Sequence, residues 1–196
     1  MFKALALAFA IFTVAAYAQT PVATLRGAIA SVTGDALTMT SRSGETVTVR
    51  LSPKTRLVAV VPASVADLKP DSFIGVAAVP DGDGLKALEV HIFPEAMRGT
   101  GEGFRPFDLA PGSTMTNGAL QARVGGVDGD RLTVTYKGGS QTVRLPKDTP
   151  IVAFAPGDRA DLKPGAAAIA RGPKGSDGAI DAAAVLVGRD GLTPPM

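Results

Sequence analysis

The chain has 196 residues, a formal net charge of +2 and no cysteine. Disulfides, thiol catalysis and cysteine-held zinc are excluded. A charge this small gives little counterion-release affinity for a phosphate backbone, and the basic and acidic residues are interspersed without a basic block.

Lys3 precedes an apolar run over residues 4–16, which ends in Ala16-Tyr17-Ala18. One positive charge, a short apolar run and small residues where signal peptidase inspects them make a secretory signal. The run is too short for a bilayer, which needs about 20 residues. Residues 1–18 are read as a signal peptide cut before Gln19, and the expected location is the periplasm, with no membrane span after cleavage. The mature chain of about 178 residues suffices for one domain or two small ones.

From Thr24 onward, Leu25, Gly27 and Ile29 alternate with Arg26 and Ala28 as far as a Thr33-Gly34-Asp35 turn. Leu37 and Met39, then Val47, Val49 and Leu51, alternate with threonines and Arg50 on either side of Ser43-Gly44. Period two between glycine turns predicts half-buried antiparallel strands. An apolar run over 57–61 ends at Pro62. Ser64 suits the N-cap of a single helical turn, which Lys69-Pro70 must stop. Strands follow over 73–79 and 85–93, around the tight turn Asp81-Gly82-Asp83-Gly84. In the latter strand Leu88, Val90 and Ile92 share one face, and Glu89 and His91 the other.

Residues 94–118 are dense in Gly and Pro and carry Glu95, Arg98, Glu102, Phe104, Arg105, Phe107 and Asp108. A mere spacer would be Ser and Gly without aromatics, and a long loop in a compact domain is functional or a tether. This stretch is expected to be an ordered linker. Arg98, Glu102, Phe104, Arg105, Phe107 and Asp108 are the candidate contacts for a ligand or partner. The structural alternative packs both rings between domains and pairs the arginines with linker acids.

Beyond the linker the order repeats. Strands are expected over 120–127 and through Leu132, Val134 and Tyr136, around Asp128-Gly129-Asp130. Val143, Leu145 and the run 151–154 come next, then an alanine-rich strand over 166–170 and another over 182–187, leaving a tail at 190–196. Ala66-Asp67-Leu68-Lys69-Pro70 returns unchanged as Ala160-Asp161-Leu162-Lys163-Pro164. Val49-Arg50-Leu51, Thr55 and Pro62 precede the first copy as Val143-Arg144-Leu145, Thr149 and Pro156 precede the second. One unit is written twice at a spacing of about 94–95 residues.

Three strands, a helical turn and two strands are the order of an OB-fold barrel. The expected fold is all-β: two tandem OB-like five-stranded barrels, over 19–93 and 119–189, joined by the linker 94–118. Leu68 and Leu162 would plug their ends. Two open sheets or a single sandwich are the alternatives. A barrel of roughly 70 residues has a thin core, which favours a fixed pair.

The motifs resemble a family of exported bacterial domains of unknown function with an OB-like fold. The first copy carries Gly27-Ala28-Ile29, Leu37-Thr38-Met39, Thr55-Arg56-Leu57, Leu68-Lys69-Pro70-Asp71 and Asp83-Gly84. The second carries Leu132-Thr133-Val134, Thr149-Pro150-Ile151, Leu162-Lys163-Pro164-Gly165 and Asp177-Gly178, with Ala122-Arg123-Val124 where Gly-x-Ile is expected. The stretch from His91 to Gly103 resembles that of two-domain members. The resemblance implies fold rather than chemistry. Some similar sequences carry a metal-permease label, which implies at most metal handling, since a permease needs several membrane helices.

A metal site would have to use His91, the only histidine, with Glu95 and Met97. His and Met together suit a soft ion such as copper, although a surface His91 beside Glu89 is the plainer expectation. Asp81-Gly82-Asp83-Gly84 opens like a calcium loop, but Ile92 stands where the twelfth, acidic ligand belongs. No Gly-x-Ser-x-Gly elbow, phosphate loop or dinucleotide fingerprint is present. With aromatics at 5% and no Trp, stacking on nucleic acid is not expected. The expectation is a non-enzymatic exported module that binds a periplasmic protein or small ligand, without a cofactor. The alternative is a periplasmic accessory protein for copper or zinc. Oligomeric state is not legible.

Overall fold

The computed structural model describes residues 22–126 and 129–196. The expected signal peptide and the Asp128 position of one expected turn lie outside those residues. The protein is all-β, and among the described residues no helix is long and apolar enough to cross a membrane.

The strands of the first repeat are β1 (Val22–Thr33), β2 (Ala36–Ser41), β3 (Thr46–Arg50), β4 (Arg56–Pro62), β5 (Phe73–Asp81) and β6 (Gly84–Ile92). After them come β7 (Gly103–Pro106), then β8 (Thr114–Val124), β9 (Asp130–Tyr136), β10 (Gly139–Leu145), β11 (Ile151–Pro156), β12 (Ala167–Pro173), β13 (Ile180–Asp181) and β14 (Ala184–Gly188). Alternation fixes the buried face: Leu37, Met39, Val47 and Val49 are buried, while Thr46 and Thr48 are exposed.

The strand order departs from the tandem arrangement. One closed five-stranded barrel runs β10–β9–β8–β5–β6, with β6 pairing back to β10 through Leu85↔Val143 and Lys86↔Arg144. It takes β5 and β6 from the first repeat and β8 to β10 from the second. The complementary strands curl as β12–β1–β2–β3–β13, and one bridge, Lys174↔Ile180, ties β13 back toward β12. Barrels confined to 19–93 and 119–189 are therefore not what forms. The physical reason lies in the duplication. Two near-equal repeats offer the same hydrophobic face to either partner, so a repeat's pattern cannot say whose strands complete its sheet.

β4 and β11 lie side by side in the middle and link the curls. Their register is Val152↔Pro62, Ala153↔Val61, Phe154↔Val60, Ala155↔Ala59 and Pro156↔Val58. Residues 58 and 62 are the repeat equivalents of 152 and 156, so this ladder maps onto itself under a pseudo-twofold axis through Val60 and Phe154. Flanking bonds obey the same axis: Gly157 N donates to Leu57 O at 3.2 Å, and Ala63 N to Ile151 O at 3.0 Å.

Each repeated pentapeptide forms a 3-10 turn, Val65–Asp67 and Arg159–Asp161. Its aspartate closes the turn: Ser64 N donates to Asp67 Oδ2 at 2.9 Å and Asp158 N to Asp161 Oδ2 at 2.8 Å. The leucine that follows is buried. Leu68, 3% exposed, packs with Ile74, Val76, Leu132 and Val134 inside the closed barrel. Leu162, 5% exposed, packs with Leu25, Ile29, Leu37 and Val49 in the other curl.

The missing Gly-x-Ile of the second copy is Gly118-Ala119-Leu120. A Cβ on Gly27 would lie 2.0 Å from Thr40 O, and one on Gly118 2.3 Å from Thr135 O, so both strands bend where a side chain cannot fit. Ile29 and Leu120 then bond equivalently, accepting from Gly165 N and Asp71 N. Gly118 thus belongs to β8, and the linker between repeats ends near Ser113 rather than at 118. Much of it is ordered, because β7 pairs with β8.

A third apolar cluster covers the outer face of the central sheet. Val58, Val60, Phe73, Phe93, Val152 and Phe154 belong to it, with Met97 and Phe107 of the linker packed against it.

Candidate functional site

The site grows from the outward face of β6, β5, β8 and β7. Cross-strand register sets Glu89, Ala77, Met115 and Arg105 in one row and His91, Gly75, Asn117 and Gly103 in the next. A bulge between Ala77 and Ala78 leaves Leu88 without a partner on β5. Leu88 therefore does not share the barrel face of Val90 and Ile92, as strict alternation predicts. Glu89 and His91 point away from the barrel, toward the central cleft. Gly75 makes room for their neighbours: a Cβ there would sit 2.0 Å from His91 Nε2 and 2.7 Å from Asn117 Oδ1.

The facing wall comes from the other side of the pseudo-twofold, with Arg171 on β12 and Ala184 and Leu186 on β14. Between the walls is a cavity of about 280 Å3. His91, Asn117, Arg105, Phe107, Phe154 and Arg171 line it. The His91 ring stacks on Phe154 at 4.8 Å and meets the edge of Phe93 at 4.9 Å. Phe107 is held by its loop: its N–H donates to Ser113 O at 2.8 Å, and its carbonyl accepts from Ser113 Oγ at 2.9 Å.

Polar groups here are buried and short of partners. Glu89 is 0% exposed, and neither carboxylate oxygen has a hydrogen bond. His91 Nδ1 lies 3.5 Å from Glu89 Oε1. Asn117 Nδ2 donates to Thr100 O at 2.9 Å, which leaves Oδ1 free. Arg171 Nε has no partner. Burial, and then the Arg26 and Arg105 charges, hold the Arg171 guanidinium below its usual basicity, against the pull of Asp108 and Glu89. Burial lowers Arg105 as well, and its Nη1 donates to Gly101 O at 2.5 Å. Buried polar groups in a folded protein nearly always have partners, so such a concentration of exceptions makes this face the candidate site.

The sequence-derived residues divide. Arg105 and Phe107 line the cavity, as do His91 and Met97. Asp108 stands at its margin and holds Arg26 through bonds of 2.7 and 3.1 Å. Arg98 faces outward, bound to Glu95 at 2.6 Å and to the Asp71 carbonyl at 2.8 Å. Glu102 accepts from Lys137 N at 2.9 Å. Phe104 is 44% exposed. The rings therefore do not act as a pair: Phe107 is packed inside and Phe104 is outside. Glu95 is committed to Arg98, away from His91. Among the described residues no group of three or more His, Asp or Glu could hold a metal.

Arg171, Asn117 and Phe154 lay outside the sequence reading of the site. A signal for them exists in the repeats themselves. Each position of this face on β5, β6 and β8 has a twin in the other repeat, and the twins differ in character. Comparison with protein-family models, with curated proteins and with solved structures finds no match to this chain.

Proposed function

We propose that this is an exported, non-enzymatic binding module whose central cavity receives a small ligand. The observation that carries the reading is the cavity itself, lined by rings and methionines and bordered by buried polar atoms without partners. Ligand sites are mostly apolar, preformed and carry a few aimed polar groups. Among the described residues that line it there is no Ser, Cys or Lys to serve as a nucleophile, which supports binding over chemistry. Export rests on the signal-like residues 1–18, and the location it implies is the periplasm.

The test is a neutral, environment-sensitive dye such as Nile red, titrated into the mature protein and into Ala184→Phe, which fills the cavity from β14. Saturable binding that vanishes in the variant, with its melting temperature kept, is the expected result. Equal binding by both proteins would place the dye elsewhere and defeat the reading.

A metal site is the second reading, and one observation favours it: His91 and Met97 share the cavity. It has lost Glu95 to Arg98, and two ligands make an incomplete set. Calorimetric titration with zinc and with copper, repeated on His91→Ala, decides it. Micromolar binding lost in the variant supports a metal centre, and absence of heat removes it.

A further inference from the structure

We propose that the cavity selects a small organic monoanion with a flat apolar body, its carboxylate set between Arg171 and Arg105 and its body against Phe107 and Phe154. This rests on reading the cavity as a small-ligand site, and adds the charge and shape of what enters.

The first support is the balance of charge around the cavity. Arg56, Arg105 and Arg171 line it, Arg26 stands behind Phe107 beside Arg171, and Asp108 is already held by Arg26 through two bonds. Arg105 and Arg171 are left with no ion pair to an acid among the described residues. Two partly buried guanidiniums, one of them further lowered by the charge of the other, are stabilised by an anion placed between them, and their planar forks suit a carboxylate. Glu89 offsets part of this charge. Its oxygens are buried without a bond to either arginine, so it steadies Arg171 from a distance without neutralising it.

The second support is that the fold does not require Arg171. Its repeat twin on β5 is Ala77: Arg171 pairs with Ala184 and Thr24 as Ala77 pairs with Glu89 and Met115. A strand that closes equally well around alanine carries the arginine for another reason. Its guanidinium carbon lies 5.8 Å from the Phe107 ring centroid, which orients the head without occupying its donors.

The third support is the rest of the lining. Phe93, Phe107, Phe154, Met97, Met115 and Leu186 make most of the remaining wall apolar, with Arg56, His91, Thr100 and Asn117 as its other polar members. A hydrated inorganic anion would leave these side chains uncovered, whereas a one- or two-ring body would cover them. The cavity of about 280 Å3 is at the small end of ligand sites.

The experiment is calorimetry on the mature full-length protein with 2-naphthoate, its neutral amide 2-naphthamide, 2-naphthylmethylammonium and inorganic phosphate. We expect naphthoate to bind at least tenfold more tightly than the amide, and the ammonium and phosphate not to bind. Arg171→Ala, which installs the twin residue, should remove that tenfold preference while keeping the melting temperature. Arg171→Lys should keep part of it, since the charge remains and the fork is lost. Equal affinity for naphthoate and amide, or a preference unchanged in Arg171→Ala, would overturn the proposal while leaving a ligand cavity standing. Failure of all four probes, together with failure of Nile red, would remove the cavity reading itself.

Discussion

Gly75 and Ile169 occupy the same place in the two repeats, and so do His91 and Leu186. Gly75 pairs with His91 and Asn117, and Ile169 pairs with Leu186 and Arg26. One row further, Glu89 matches Ala184 and Ala77 matches Arg171. Inside the curls the twins are alike: Leu68 with Leu162, Leu37 with Leu132, Val49 with Val143, all buried. On the central face they are unlike, and the unlike members are the polar ones. A duplicated fold keeps its two cores because each must exclude water in the same way. The face between them has no such requirement, and it is there that polar atoms without partners collect.

The likeness of the two cores and the unlikeness of the face between them can each be tested by substitution. Leu68→Asp and Leu162→Asp should each cost about 4 kcal/mol of unfolding free energy, by burying an unpaired charge. Chemical denaturation should give matching losses. A loss in only one would show that the two leucines do not do the same job. Gly27→Ala and Gly118→Ala should follow, at about 2–3 kcal/mol each, because the new methyl meets a backbone oxygen that cannot withdraw. The central face should answer in opposite directions: Glu89→Leu should raise stability by about 1 kcal/mol, while its mirror, Ala184→Glu, should lower it by about 2 kcal/mol. A drop in melting temperature for Glu89→Leu would mean that the carboxylate has a structural partner.

The smallest effect concerns acid. The bond from Arg189, joined by the one from Asp158 N, holds the Asp161 carboxyl below the usual carboxylate range. Asp67 is lowered by Ser64 alone among its bonded partners. A carboxyl lowered by folding stabilises fully above its unfolded value, and this share is lost as pH falls through the folded value. Below about pH 4, Asp161→Asn should therefore flatten the acid limb of the melting curve more than Asp67→Asn, since Asp161 is half-buried and Asp67 exposed. Equal limbs would show that the arginine adds nothing.

Much of this was legible in the chain. Alternation located most strands of both repeats but not β4 or β11, which are continuous apolar runs, and the pentapeptide located two buried leucines. The fold class follows from that pattern, because period two and glycine turns are local. Strand exchange is not local. The runs 57–61 and 151–154 are apolar without alternation, and nothing in Val58 or Val60 says that the neighbour is β11. The site was half legible for the same reason. Arg105 and Phe107 stood out in a linker the repeats do not explain. Arg171 lies one residue past the alanine-rich strand expected over 166–170, and its meaning depends on a partner more than 60 residues away, Arg105. His91 was visible as the only histidine, but its burial against Phe93 and Phe154 needed β11 beside β6.

Exchange of strands between the repeats is the claim on which the cavity depends, since its two walls come from opposite sides of the pseudo-twofold. It is tested most directly by producing residues 19–113 and 114–196 as separate chains and measuring the mass and thermal unfolding of each, alone and mixed. Alone, neither piece should give a folded monomer, because β1 to β3 would lack β12 and β8 to β10 would lack β5; mixed, they should assemble one to one with a single cooperative transition. A piece that stays monomeric and melts cooperatively by itself would contradict it.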